Sequence, residues 1–171
     1  MIIWITGISG AGKSTIANAL MGLYKKNIPN LVNVDGDTIR GLFSSDLKYD
    51  EISRIEQIKR IQKLCIFLDR QGLVVIVSAL YSNSELLDWN RKNFKNYFEI
   101  YLEASINLVK KRDVKGLYKK FDDGSEKNIV GLDIHWNSPK NYDLKINMDK
   151  VKTVNKVIEK ISSKIDFFDL T

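Results

Sequence analysis

Gly7-Ile8-Ser9-Gly10-Ala11-Gly12-Lys13-Ser14-Thr15 follows the pattern G-x-x-x-x-G-K-S/T, and its reading decides the fold. Upstream, Ile2-Ile3-Trp4-Ile5-Thr6 is a short apolar, β-branched run that reads as a buried parallel strand; downstream, Ile16-Ala17-Asn18-Ala19-Leu20 continues as a helix. The stretch is therefore a phosphate-binding loop between a strand and a helix. Its three glycines let successive backbone N–H groups turn toward one anion, and the helix adds its positive N-terminal end. Gly10, Ala11, Gly12, Lys13, Ser14 and Thr15 are the expected contacts to ATP. Lys13 would reach the β- and γ-phosphates as a point charge, and the Ser14 hydroxyl would hold Mg²⁺.

With 171 residues the chain suits one domain, taken as 1–171, with a substantial core. A hydrophobic content of 44% against 28% charged residues is ordinary for a globular protein, and no apolar run approaches the roughly 20 residues that span a bilayer. The first strand begins at Ile2, leaving no room for a signal peptide, and one cysteine cannot form an internal disulfide, so the cytoplasm is the expected location. A net charge of +6 suits a polyanionic ligand but does not choose among nucleotide, nucleic acid and membrane.

Outward from the loop, Leu31-Val32-Asn33-Val34 reads as a second strand ending at Asp35-Gly36-Asp37. Ligands of open α/β sheets gather at the carboxyl ends of strands, which sets these two carboxylates beside the phosphate loop if the strands are neighbours. Arg40, in a short helix opened by Thr38, is available to a second anion. Residues 50–71 form the longest helical pattern, begun by Ser53 with Glu56 at capping-box spacing. At 100° per residue Ile58, Ile61, Leu64, Cys65 and Leu68 share a stripe, with Arg54 and Gln57 on the same side one turn earlier; an inward Arg needs a partner or a ligand. Cys65 reads as core filler.

Leu73–Val77, Phe98–Leu102 and Leu144–Met148 read as further strands, with helices over 83–94, from Ser105 to near Arg112, and over 151–165. The segment 110–120 carries six basic residues against one acid and reads as a cationic lid over ATP, with Arg112, Lys115 and Lys119 as phosphate contacts. Strands alternating with helices predict an α/β fold, a single domain with a mostly parallel sheet of about five strands and helices on both faces. His135, a lone histidine, is assigned no role.

Taken in order, these pieces resemble the adenylylsulfate kinases over about Met1 to Met148. The resemblance rests on the phosphate loop, on Asp35-Gly36-Asp37-Thr38-Ile39-Arg40, and on Arg112-Asp113-Val114-Lys115-Gly116-Leu117-Tyr118-Lys119-Lys120, with Lys127-Asn128 and Gly131-Leu132-Asp133 after it. Thr38 stands for the family's usual Asn and Val114 for its proline. The resemblance implies a P-loop kinase with a lid over about 113–130, which moves the γ-phosphoryl of ATP to the ribose 3′-hydroxyl of adenosine 5′-phosphosulfate. It implies Lys13, Asp35 and Asp37 as the catalytic set, with Asp37 near the 3′-hydroxyl and Asp35, with Ser14, nearer the Mg²⁺. It also implies that Arg40, Arg54 and Lys127 hold the acceptor's anionic end.

The departures gather at the acceptor. Tyr49 and Ile129 stand where the family grips adenine between two phenylalanines, Lys48 replaces a glycine, Gln57 replaces an asparagine, and Tyr81-Ser82-Asn83 replaces a Ser-Pro-aromatic turn. That pattern implies the same reaction on another nucleotide. Cytidine diphosphoramidate, phosphorylated on its ribose 3′-hydroxyl in a capsule modification, is the expected kind of acceptor, with adenylylsulfate as the alternative. The expected partners are ATP and this small nucleotide, with neither nucleic acid nor membrane, and a homodimer left open. A nucleic-acid-binding role would leave the two aspartates and the lid without a purpose, whereas kinases of sugars or of nucleic-acid 5′-hydroxyls are nearer rivals.

Overall fold

The computed structural model describes residues 1–44, 46–80, 83–113 and 115–166. Tyr81, Ser82 and Val114, which belong to two of the departures above, lie outside the described residues. Strand β1 (Ile2–Thr6) leads through the phosphate loop into helix α1 (Lys13–Tyr24), then come β2 (Leu31–Asp35), α2 (Gly36–Leu42) and the long α3 (Glu51–Arg70). They are followed by β3 (Val74–Ala79), α4 (Ser84–Asn93), β4 (Tyr97–Glu103), α5 (Ile106–Arg112), α6 (Leu117–Asp122), β5 (Leu144–Asn147) and α7 (Val154–Ser162). The five strands lie in the order β2-β3-β1-β4-β5, every pairing parallel.

β1 is central and buried along its whole length, as its unbroken apolar run requires. Its side chains alternate between two cores. Ile3 and Ile5 pack with Ile16 and Leu20 of α1 and Val157 and Ile161 of α7; Ile2 and Trp4 face Ile58, Ile61 and Cys65 of α3 and Leu86 and Leu87 of α4. Helices thus cover both faces of the sheet. Cys65 is wholly buried, and burial pushes its thiol up to about 12, which suits core filler and not a nucleophile.

Three local readings change. Helix α3 is capped by Asp50, not by Ser53, because Ser53 lies in the first turn, where its own N–H is an orphan donor; that N–H donates to Asp50 Oδ1 at 3.0 Å. The closing helix is shorter than 151–165, starting after the Thr153 cap. The lid segment is not one element: α6 is followed by an irregular stretch containing an isolated bridge between Val130 and Ile134.

The α3–α4 side of the core holds a polar chain. Gln62 donates to Asn90 Oδ1 at 2.8 Å, Asn90 to the Tyr97 hydroxyl at 3.2 Å, and that hydroxyl to Glu99 Oε2 at 2.8 Å. Glu99 is fully buried on β4, in register with Trp4, and its closest cation is Arg91 at 3.5 Å. Burial lifts its carboxyl to about 7 despite the Tyr97 hydroxyl and the Arg91 charge. No helix among the described residues is long and apolar enough to cross a membrane.

Candidate active site

β1, β2 and β3 end side by side, Asp35 in register with Ser78, so the phosphate loop and the start of α2 share one rim of the sheet. There they border a cleft of about 670 Å³. Gly7 admits the loop against the sheet, since a Cβ there would stand 2.6 Å from the Leu102 carbonyl oxygen. Gly12 caps α1 in a left-handed conformation and brings no side chain to the first N–H groups, and the first turn of α1 holds no acid. The helix end is therefore open to an anion.

Lys13 curls back over the loop, its Nζ donating to the carbonyls of Gly7 at 2.8 Å and Ile8 at 2.9 Å. Burial, helped by the nearby Lys115 charge, brings its ammonium down to about 7 against the pull of Asp37 and Asp35. Asp35 caps α2 and is saturated. Its Oδ2 accepts from the Ser14 hydroxyl at 2.6 Å and from the Ser78 hydroxyl at 2.8 Å, and its Oδ1 from the N–H groups of Asp37 and Thr38. Burial raises its carboxyl, but these donors outweigh burial and hold it below the usual aspartate value. Asp37, two residues on, is exposed and paired with the Lys115 ammonium of the lid segment. Burial alone would lower that ammonium; the Asp37 hydrogen bond and charge, with Asp35 behind, raise it instead.

The lid segment is tied to the loop in two places. Arg112 Nη1 lies 3.4 Å from the carbonyls of Gly10 and Ala11, and the buried Tyr118 donates its hydroxyl to the Ser9 carbonyl at 2.9 Å. Tyr118 was not among the predicted residues. Asp113, at the end of α5, reaches the first turn of α6, its carboxylate accepting from the N–H groups of Tyr118 and Lys119 at 3.0 Å each. Lys119 itself is exposed on α6 and does not line the cleft, and Ala11 is buried beneath the loop. Beyond Gly12 the cleft ends on Met148, Val151, Thr153 and Val154, a wall that no motif announced because it comes from the loop joining β5 to α7.

At the other end stand the predicted acceptor residues. Arg40 is buried and gives Nη1 to the carbonyls of Leu47 and Lys48, both at 2.8 Å. Arg54, also buried, gives Nε to the Tyr49 carbonyl and Nη2 to the Asn128 carbonyl, both at 2.7 Å. The half-exposed Tyr49 ring carries both guanidiniums against it, at 4.6 Å and 5.6 Å from its centroid. Gln57 donates to the Gly36 carbonyl at 3.0 Å; Lys127 and Ile129 complete the lining, Ile129 nearly buried. The inward direction read for Arg54 and Gln57 from helical periodicity holds, and much of their donor capacity goes to backbone.

Strand, phosphate loop, helix, paired aspartates and basic lid around one cleft define a phosphate-loop kinase. The chain belongs to the adenylylsulphate kinase family, whose model matches residues 1–147. It is 38% identical over 164 residues to the cytidine diphosphoramidate kinase of Campylobacter jejuni, covering 96% of this chain and 95% of that one. It is 35% identical to the adenylyl-sulfate kinase of Gloeothece citriformis, covering 93% and 92%. The Mycobacterium tuberculosis APS kinase solved with AMPPNP and APS matches with a TM-score of 0.87 at 27% identity, covering 96% of each chain. The protein is an ATP-dependent phosphotransferase.

Proposed function

We propose that the protein transfers the γ-phosphoryl of ATP to the ribose 3′-hydroxyl of a nucleotide-activated anion, and that the acceptor is a cytidine nucleotide such as cytidine diphosphoramidate. In this reading the open N-terminus of α1, Lys13, Arg112 and Lys115 receive the triphosphate, and the wall from Met148 to Val154 receives the adenine. Asp37 takes or orients the proton of the 3′-hydroxyl, and Arg40, Arg54 and Lys127 face the acceptor's anionic end. The demand on the protein is positioning and neutralisation of spread charge.

The residues present fit a magnesium ion that keeps waters and takes most of its oxygens from the nucleotide. Among the described residues no cluster of three His, Cys, Asp or Glu side chains could hold a metal unaided. Ser14 would hold the ion through its hydroxyl oxygen while Asp35, already carrying four donors, accepts the hydroxyl proton. When bound, the ion neutralises charge on the transferring phosphoryl group.

The observation that carries the acceptor assignment is the unequal pair Tyr49 and Ile129. Stacking on an aromatic face is worth about 1–3 kcal/mol per base, so exchanging one of two aromatic faces for an aliphatic one penalises a wide purine more than a pyrimidine. The 38% identity to a cytidine diphosphoramidate kinase supports it. Adenylylsulfate remains the second reading, supported by the 35% identity to an adenylyl-sulfate kinase. The test compares kcat/KM for the two acceptors, before and after Ile129→Phe. The cytidine acceptor is expected to win in the unmodified enzyme and to lose ground in the variant; a win for adenylylsulfate by about tenfold, or 1.4 kcal/mol, overturns the assignment.

A further inference from the structure

The two ends of the acceptor cleft belong to segments far apart in the chain, and one guanidinium joins them. Arg54 reaches Tyr49 on one side and Asn128 on the other through their carbonyl oxygens. What holds Asn128 in place is outside the cleft. Asn128 has a φ of 63°, in the left-handed region, and its N–H donates to Asp133 Oδ2 at 2.7 Å. The next N–H, that of Ile129, donates to Asp133 Oδ1 at 2.6 Å. One carboxylate therefore grips two successive amides, both oxygens in use.

The rest of the turn closes on the same point. The Ile129 carbonyl accepts from Leu132 at 3.0 Å and from Ile134 at 3.2 Å, and Gly131 donates to the Ile134 carbonyl at 2.8 Å. Gly131 sits against α5, where an added Cβ would meet Ile106 Cδ1 at 3.1 Å. The turn thus has a fixed foot, and its cleft-facing edge, Asn128 and Ile129, is set by Asp133.

We propose that Asp133 is a positioning residue for the acceptor: by clamping the Asn128 and Ile129 amides it fixes the Ile129 wall and the carbonyl that Arg54 uses to tie that wall to Tyr49. This deepens the acceptor reading above and rests on its placement of the acceptor site, though not on which nucleotide fills it. Asp133 does not itself line the cleft, so its influence passes through Asn128, Ile129 and Arg54. The groups assigned to ATP lie on the phosphate loop, at Arg112 and Lys115 around the end of α5, and on the β5–α7 connection, and among the described residues none of the hydrogen bonds of Asp133 runs to them.

Asp133→Asn leaves one acceptor oxygen and turns an N–H₂ toward the second amide, so one clamp bond is lost. The expected result is a rise in acceptor KM of about tenfold, with the KM for ATP within about twofold and kcat falling less than KM rises. Adding Asn128→Gly, which makes the left-handed conformation inexpensive, is expected to bring acceptor KM back to within about threefold of the unmodified enzyme.

The measurement uses whichever of adenylylsulfate and cytidine diphosphoramidate the unmodified enzyme prefers, so a wrong acceptor assignment leaves it standing. Calorimetric Kd values for both nucleotides, with a non-hydrolysable ATP analogue present, read the same change without turnover. Should Asp133→Asn not fold, Asn128→Ala, which keeps the carboxylate but strains the left-handed position, is measured in its place and is expected to weaken the acceptor alone. Unchanged acceptor KM and Kd, an equal loss for ATP, or a folded double variant with no recovery each overturn the proposal.

Discussion

Lys115 and Asp37, 78 positions apart in the chain, are ion-paired across the mouth of the cleft, so the lid segment rests on the carboxylate proposed to face the 3′-hydroxyl. The pair links the lid segment to the start of α2. Of the three lid lysines at 115, 119 and 120, the pair singles out the first, since Lys119 and Lys120 point to solvent. Lys115→Ala is therefore expected to change kcat and the KM for ATP together, by as much as replacing all three lysines with Ala. Lys119→Ala and Lys120→Ala should each stay within about twofold. Steady-state kinetics on the three single variants and the triple variant check this.

Asp37→Asn keeps the shape of the site and removes the proposed base, an effect usually of about 10²–10⁴ in kcat. ATP binding, read by calorimetry, should persist. Asp35→Asn acts differently, because the lost carboxylate also caps α2 and anchors Ser14 and Ser78; it should lower the melting temperature as well as activity. Full activity in Asp37→Asn with loss only in Asp35→Asn reverses the two roles.

The lowered ammonium of Lys13, near 7 without ligand, has a thermodynamic signature. A triphosphate beside it raises that value again, so ATP binding at about pH 7.5 should be accompanied by proton uptake, measurable by calorimetry in buffers of different ionisation enthalpy. Lys13→Arg, charged throughout, should bind without the uptake. Lys13→Ala should lose about 10²–10³ in rate while remaining folded.

Glu99 makes stability depend on pH in the opposite sense to most carboxylates. Unfolded, it releases its proton near 4.5; folded, near 7; between those values the folded state holds the extra proton, and stability falls as pH rises. Glu99→Gln stays neutral throughout. Its denaturant midpoint relative to the unmodified protein should rise between about pH 5 and about pH 8. Parallel curves would mean that Arg91 and Tyr97 already satisfy the ionised carboxylate.

The phosphate loop was legible in the sequence because everything it needs is contiguous: a strand, three glycines, Lys13, Ser14 and a helix. The strands were legible because a sheet covered on both faces leaves unbroken apolar runs, and Arg54 and Gln57 because helical periodicity alone gives their direction. What stayed hidden are contacts between segments distant in sequence or inside irregular turns, which no periodicity marks: Tyr118 to Ser9, Lys115 to Asp37, Asp133 to Asn128 and Ile129. Glu99 was lost inside the pattern of β4, since nothing local distinguishes a fully buried glutamate from one at a strand's wet face. The cap of α3 was misplaced because Asp50 and Ser53 both carry suitable oxygens, and only the conformation of Asp50, extended at φ −66° and ψ 168°, separates them.

The order in which the layers are completed also bears on how the protein is made. Helix α1 is synthesised well before α7, yet its apolar face is covered by α7 through Val157, Ile158 and Ile161 and a 2.5 Å contact between the Tyr24 and Ser162 hydroxyls. β1 likewise waits for β3 and β4, its two neighbours in the sheet. A nascent chain therefore carries Ile16, Leu20 and the apolar first strand without these partners until the more than 100 residues between α1 and α7 have been made. At about 5–20 residues per second this lasts some seconds, a window in which the sheet does not yet shield that surface from other chains.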